Sequence, residues 1–175
     1  MRIRKAREED IRALLDIYNE EVLDGIATLD LRPRTYEEWQ QWFAMHNTGN
    51  HPLYVAETEG GSKQGKEVSP GEIAGYASLS PYREKEAYCS TVELSVYIGK
   101  KYRRQGVATA LMERILEEAR GDERTHTVVS VITAGNEASV CLHGKFGFTY
   151  CGTIREAGMK FGRYLDIENY SLPVS

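Results

Sequence analysis

Polar and apolar residues divide this chain into stretches with two distinct periods. Residues 2–7 alternate in the manner of a short strand. Ile11, Leu14, Leu15, Tyr18 and Val22 then recur at helical spacing behind Asp10, a residue suited to an N-cap. After Pro33, Thr35-Tyr36-Glu37-Glu38 has the form of a capping box, in which the Thr hydroxyl and the Glu carboxylate each satisfy an N–H that the first helical turn leaves unpaired. Trp39, Trp42 and Phe43 follow as the apolar side of a second helix. Leu53–Ala56 and Ile73–Leu79 read as two strands, and the polar, glycine-bearing stretch Gly60–Gly71 between them predicts a mobile hairpin loop, not a domain linker. Thr91–Ile98 is the clearest strand, with Val92, Leu94, Val96 and Ile98 on one face and Thr91, Glu93, Ser95 and Tyr97 on the other. Beyond the basic turn Gly99–Gly106, the residues Ala108, Leu111, Met112, Ile115, Leu116 and Ala119 make the apolar stripe of a helix. Val128–Ile132 reads as a strand, Asn136–Phe146 as a helix stopped by Gly147, and 149–155 and 164–172 as two closing strands. Strands and helices are interspersed without an internal repeat, which predicts a single α/β (α+β) domain spanning 1–175.

Composition narrows the function classes. At 175 residues and 41% apolar content the chain suits one domain of ordinary size. Its formal charge of -4 lacks the basic excess that nucleic-acid binding generally needs, so no nucleic-acid partner is expected. No run of about 18 apolar residues and no secretory leader pattern occurs, which predicts no membrane association and a cytoplasmic location. Cys89, Cys141 and Cys151 are odd in number and form no C-x-x-C pair, and the four histidines match no ligand spacing. Reduced thiols and no metal site are therefore expected.

The chemistry concentrates where the strand Thr91–Ile98 leads through a basic turn into a helix. In Arg103-Arg104-Gln105-Gly106-Val107-Ala108-Thr109, free backbone N–H groups and the positive end of a helix dipole converge, and Gly106 lets a ligand approach the backbone closely. Such a turn can hold a phosphate mainly by main-chain donors; local composition alone favours a solvated basic turn capping a core helix. Neither a P-loop nor a G-x-G-x-x-G pattern is present.

Arg103-x-x-Gly106-x-Ala108 after a strand resembles the acyl-CoA signature of the GNAT acetyltransferase superfamily. Further segments occur in order around it: Ala27-Thr28 before Pro33-Arg34-Thr35, Tyr82-Arg83 before Ala87-Tyr88, Thr91-Val92-Glu93-x-Ser95-Val96-Tyr97, Asn136-x-x-Ser139-x-x-Leu142-His143, Gly147-Phe148, and Gly158-x-Lys160-x-Gly162-Arg163 with Asp166. Together they resemble the phosphinothricin and methionine-sulfoximine N-acetyltransferase branch over nearly the whole chain. Lys85 and the segment Gly158–Asp166 depart from that branch's pattern, as does Leu29, which puts the exact acceptor in question.

The resemblance implies a mixed, mostly antiparallel sheet flanked by helices, with acetyl-CoA as cosubstrate in a cleft where two central strands splay apart. It implies pantetheine binding along the backbone of Val96, Tyr97 and Ile98, and pyrophosphate on the amides from Arg104 through Gln105, Gly106, Val107 and Ala108 to Thr109, with Arg103 opening the motif. Asn136, with Ser139 in the same motif, matches the position that touches the cofactor arm, and Asn136 also suits the N-cap of its helix. Glu93 matches the general base and His143 a second acid/base position. Cys141 and His143 stand two apart on a helix and do not form a thiol–imidazole pair. An α-amine is largely protonated at neutral pH, so a carboxylate that removes a proton is what its transfer chemistry needs. Arg83, Tyr88 and Thr91 precede Glu93 and are placed to orient an amino-acid-like amine, with guanidinium to carboxylate as the strong contact. The branch also implies a homodimer. Two other readings use the same residues: an acetyltransferase of protein or peptide amines, and a non-catalytic CoA-binding regulatory module.

Overall fold

A computed structural model describes residues 1–60 and 71–175, so the predicted Gly60–Gly71 loop lies almost wholly outside the described residues. The strands are β1 (Arg2–Lys5), β2 (Leu53–Glu57), β3 (Ile73–Pro81), β4 (Thr91–Ile98), β5 (Thr127–Thr133), β6 (Thr149–Lys160) and β7 (Arg163–Pro173). The helices are α1 (Ile11–Asp24), α2 (Tyr36–Ala44), α3 (Val107–Gly121) and α4 (Glu137–Lys145). The strands form one sheet in the order β1-β2-β3-β4-β5-β7-β6. Every neighbouring pair is antiparallel except β4 and β5, which run parallel.

The two faces of the sheet hold separate cores. On one, Ile11, Leu14 and Leu15 of α1 and Trp39 of α2 pack against Leu53, Val55 and Tyr76. On the other, Val107, Leu111, Met112, Ile115, Leu116 and Ala119 of α3 cover Tyr54, Ala77, Leu79, Val92 and Leu94. Burial on both faces is why β2 reads as a continuous apolar run without alternation. The stripe predicted for α3 is the one that is buried, with Val107 carrying the contact at its first turn and Ala108 half-buried. The capping box of α2 forms as expected: Glu38 N–H donates to Thr35 Oγ1 at 3.2 Å and Thr35 N–H to Glu38 Oε2 at 2.8 Å.

Two local features differ from the sequence reading. Asp10 precedes α1 as expected but makes no side-chain cap. Its carboxylate instead accepts both terminal nitrogens of Arg4, at 2.7 and 2.9 Å, and the Arg7 N–H at 2.7 Å. A buried cation–carboxylate pair with matched fork geometry outweighs one cap hydrogen bond. The closing strands are also longer than 149–155 and 164–172. They continue to a two-residue turn, Phe161-Gly162, whose φ values of 53° and 71° are both left-handed. That turn usually carries Asn-Gly or Asp-Gly, so Phe161 hides the hairpin from a sequence pattern. The irregular pairing between Ile154 and Gly158 conceals it further.

Candidate active site

β4 and β5 are paired at only three positions, Thr91–Thr127, Val92–Val128 and Glu93–Val129. Beyond them Leu94 to Ile98 keep a partner strand on one side only, β3, while the rest of β5 stays paired with β7. The strands thus diverge from Glu93 onward and leave a cleft at their carboxyl ends, the usual place for ligands in parallel α/β arrangements. The free edge of Val96, Tyr97 and Ile98 offers N–H and C=O groups that an amide-bearing arm can use as a strand would.

The turn after β4 supplies the second half of this site. Arg104 and Gly106 have left-handed φ values of 62° and 79°, and Gly106 directly precedes α3. No amide N–H from Arg104 to Thr109 donates a hydrogen bond among the described residues; Ala110, to the Gly106 carbonyl at 3.1 Å, is the first amide paired in α3. A Cβ built on Gly106 would meet nothing within 4 Å. Six orphan donors around open space at a helix N-terminus fit a pyrophosphate. The basic side chains of the turn contribute less than their number suggests. Lys100 pairs with Asp24 and Lys101 with Glu72. Arg103 donates to Glu21 at 2.9 Å and to the Ile98 carbonyl at 3.2 Å. The anion site is therefore mainly backbone.

Across the cleft, Asn136 caps α4, its Oδ1 accepting the Ser139 N–H at 3.3 Å. His143, one helical turn after Ser139, is 3% exposed and stands edge-on to Phe148 at 4.9 Å. Its Nδ1 lies 2.7 Å from the Ser139 carbonyl and therefore carries the proton, leaving Nε2 a buried acceptor without a partner among the described residues. Burial lowers its pKa, so the ring is neutral at pH 7. Cys141 is exposed while His143 is buried, as their spacing predicts.

Glu93 sits at the vertex, the last β4 residue still paired with β5. It is half-buried, and among the described residues its carboxylate has no hydrogen-bond or ion-pair partner. Burial alone raises its pKa above the ordinary carboxylate value of 4.5. Its side chain points to the α1/α2 face, opposite the core that holds His143. The structure thus brings Glu93 together with Thr91 but sets His143 on the other side of the sheet. Arg83, in the loop between β3 and β4, is exposed, with its guanidinium 4.9 Å from the Tyr82 ring and 5.7 Å from that of Tyr88. Arg83 and Tyr88 form one cation–aromatic cluster just outside the Glu93 end of β4.

Sequence reasoning missed the cavity beneath α2 and the groups that close it. On the Glu93 face, β3 and β4 oppose Tyr76 to Tyr97, Ser78 to Ser95, and Ser80 to Glu93. Five of these six residues line a cavity of about 260 Å³ together with Tyr18, Trp39 and Trp42 and the ionic groups Asp30, Arg34 and Glu38. Lys160, at the end of β6, is buried and donates to the Thr28 carbonyl at 2.8 Å, tying the closing hairpin to the α1–α2 connection. Only the segment Gly158–Arg163 signalled that lysine, and no periodicity could place it.

Comparison with known proteins agrees with this geometry. The family model described as an acetyltransferase (GNAT) domain matches residues 1–149. A phosphinothricin N-acetyltransferase of Streptomyces coelicolor is 38% identical over 99% of this chain and 96% of its own length. An L-methionine sulfoximine/L-methionine sulfone acetyltransferase of Pseudomonas paraeruginosa is 34% identical over 94% and 90%. Among solved structures, a ribosomal-protein-alanine N-acetyltransferase from Brucella melitensis superposes with a TM-score of 0.87 at 35% identity, covering 99% of both chains. A GNAT superfamily phosphinothricin acetyltransferase from Sinorhizobium meliloti, in complex with AcCoA, gives 0.85 at 29% identity over 98% of this chain and 87% of that one. The splayed parallel pair, the unpaired amides before α3 and the match along nearly the whole chain lead to one conclusion: this chain belongs to the GNAT family of N-acetyltransferases.

Proposed function

We propose that this protein transfers an acetyl group from acetyl-CoA to the amine of a small amino-acid-like acceptor, directly and within a ternary complex, the thioester C–S bond breaking as the C–N bond forms and CoA leaving as its thiol with the amine's second proton. The observation that carries the reading is the position of Glu93: a half-buried carboxylate, without a partner among the described residues, at the vertex where β4 and β5 separate. Bound acetyl-CoA supplies the electrophilic thioester carbonyl. The amides of Arg104 to Thr109 hold its pyrophosphate, and the free edge of Val96 to Ile98 holds its amide-bearing arm.

Glu93 takes the proton that an α-ammonium must lose before its nitrogen can attack, directly or through a water. Its raised pKa brings it closer to that of the amine, which eases the transfer. Arg83 pairs with the acceptor's carboxylate and holds the amine at a fixed reach, helped by Tyr88 and Thr91. His143, neutral, fixed through Nδ1 and buried on the other face of the sheet, takes no part in this proton transfer.

We take the working form to be a homodimer joined through the closing hairpin. β6 is an edge strand, and Tyr150, Ile154, Met159, Phe161 and Tyr164 of this hairpin are each more than half exposed. Light scattering gives its mass directly, and a monomer at micromolar concentration would refute the assembly. A cytoplasmic setting is supported by three exposed, unbridged cysteines.

The testing experiment is a thiol-release screen with methionine sulfone, phosphinothricin, the decarboxylated amine of methionine sulfone, and short peptides. Carboxylated amines are expected to react far faster than the others. Equal or better use of peptides would favour a protein-amine acetyltransferase, and thiol release with none would favour a non-catalytic CoA-binding module.

A further inference from the structure

Of the two buried histidines, His46 is the one on the Glu93 face. It stands just past the end of α2, 6% exposed, with its ring 4.3 Å from that of Trp42. Its Nδ1 lies 2.8 Å from the Trp42 carbonyl, which can only accept, so Nδ1 carries the ring proton. Burial holds the His46 pKa below its ordinary value, and neighbouring His51 adds to this, so the ring is neutral at pH 7. Nε2 is then bare, and it lies 2.9 Å from the Ser80 hydroxyl. The hydroxyl has to donate there. Two hydrogen bonds thus fix one tautomer and the direction of one serine proton.

Strand register sets that serine against the base. Ser80 and Glu93 are directly opposed across β3 and β4, so they share a face with their Cβ atoms about 4.5–5.5 Å apart. With its proton committed to His46, the Ser80 oxygen offers Glu93 lone pairs only. A carboxylate also only accepts, and Ser80 bonds to His46 and not to Glu93 among the described residues. Once Glu93 has taken a proton from the amine, its new O–H can donate to Ser80. A hydrogen bond of that kind favours the protonated carboxyl over the carboxylate.

No neighbouring charge overrides this pair. Burial raises the pKa values of Tyr18, Tyr76 and Tyr97 on this face, so all three are neutral. Arg34 and Asp30 bind each other at 2.7 and 2.8 Å, and Glu38 is held by Arg32 at 2.7 Å. β5 sets Thr127 and Val129 beside Thr91 and Glu93, and Arg83 is exposed in the loop beyond. We infer that Ser80 and His46 are positioning residues for the acetyl transfer: His46 turns the Ser80 lone pair toward Glu93, where it receives the O–H formed when Glu93 takes the amine's proton. The proton goes no further, because an imidazolium at His46 would be a buried charge. It stays on Glu93 until it returns to solvent, and Ser80 and His46 keep their own protons throughout.

This inference rests on Glu93 being the base, and its test separates the two. In the full chain labelled with 13C at the glutamate carboxyl carbons, the Glu93 signal is assigned by its loss in Glu93→Gln and titrated from pH 4 to 8. Ser80→Ala should lower its midpoint by about half a pH unit or more, since the protonated form loses its acceptor. His46→Phe should lower it further, because the freed hydroxyl can donate to the carboxylate. The double variant should match Ser80→Ala. The acid limb of kcat should follow these midpoints, with KM little changed. An unmoved midpoint in Ser80→Ala overturns the inference, and that variant decides the matter even where His46→Phe does not fold. A His46→Phe effect that persists in the Ser80→Ala background also overturns it, by assigning His46 to packing. If the midpoint moves as expected but kcat has no acid limb at it, the base reading fails instead and the contact is structural only.

Discussion

The free edge of β4 with the turn after it, and the cavity beneath α2, both lie beyond Glu93 along β4 and are built in opposite ways. The edge is one continuous segment, from β4 through the turn into α3, and its donors are main-chain amides. The cavity draws on α1, α2, β3 and β4, with lining residues scattered from Tyr18 to Tyr97, and its shape is set by side chains. A backbone site tolerates almost any side chain that permits the turn, so it can stay constant while acceptors change. A side-chain site changes its preference with a single substitution.

The sharpest way to break this division is at the vertex that both halves share. Glu93→Gln should lower kcat by about 10² to 10⁴, equivalent to roughly 3–5 kcal/mol of barrier, while acetyl-CoA still stabilises the fold against heat. A loss below about fivefold at saturating substrate would leave Glu93 a structural residue.

Next in size is the cofactor edge alone. Gly106 has a φ of 79°, which a β-branched residue adopts only under strain, and a side chain there enters the space around the orphan amides. Gly106→Val should abolish the thermal stabilisation by acetyl-CoA, which for wild type is about 2.7 kcal/mol at a concentration of 100 Kd. Calorimetry that finds an undiminished shift in a folded variant would remove the basis for a pyrophosphate site at this turn.

A smaller effect is expected at the mouth of the acceptor side. Arg83 is solvent-exposed, so its pairing with a carboxylate is screened. Arg83→Ala should raise KM for carboxylated amines by about tenfold, or roughly 1.4 kcal/mol, with a lesser change in kcat. An unaltered preference for the acid over its decarboxylated amine would assign carboxylate recognition elsewhere.

The last prediction concerns pH and is the most modest. Glu93 has a folded-state pKa above its unfolded value, so between those two values the native state binds more protons than the unfolded one. Its contribution to stability is therefore most favourable below about 4.5 and diminishes as pH rises through the raised folded value. Relative to wild type, Glu93→Gln should gain stability with rising pH across that window and level off above it. Wild-type kcat should show an acid limb at the same raised value. Denaturation midpoints measured from pH 4 to 8 would contradict the burial of Glu93 if the two proteins ran parallel throughout.

Much of the molecule was legible because its signals are local. The alternation of Thr91–Ile98, the stripe of α3 and the capping box of Thr35 and Glu38 depend on near neighbours, and each forms as the pattern predicts. The strand–turn–helix around Gly106 was readable for the same reason, and so was the expectation that main-chain donors would dominate it. Other features escaped because they depend on residues distant in the chain. Glu93 is singled out by resemblance, but its place at the vertex exists only once β5 pairs with it and then diverges. Asp10 reads as a cap until Arg4 arrives with a better partner.

By itself, then, the sequence determined the elements, the family and the backbone cradle, since each is encoded by periodicity or by a contiguous motif. Tertiary structure alone decided that Glu93 and His143 stand on opposite faces and that Lys160 reaches Thr28. It also decided that Trp39 of α2 and Tyr76 and Ser78 of β3, from separate elements of the chain, line one cavity. Strand register and helix packing set those relations. They arise from burial summed over the whole sheet, and no window of residues contains that sum.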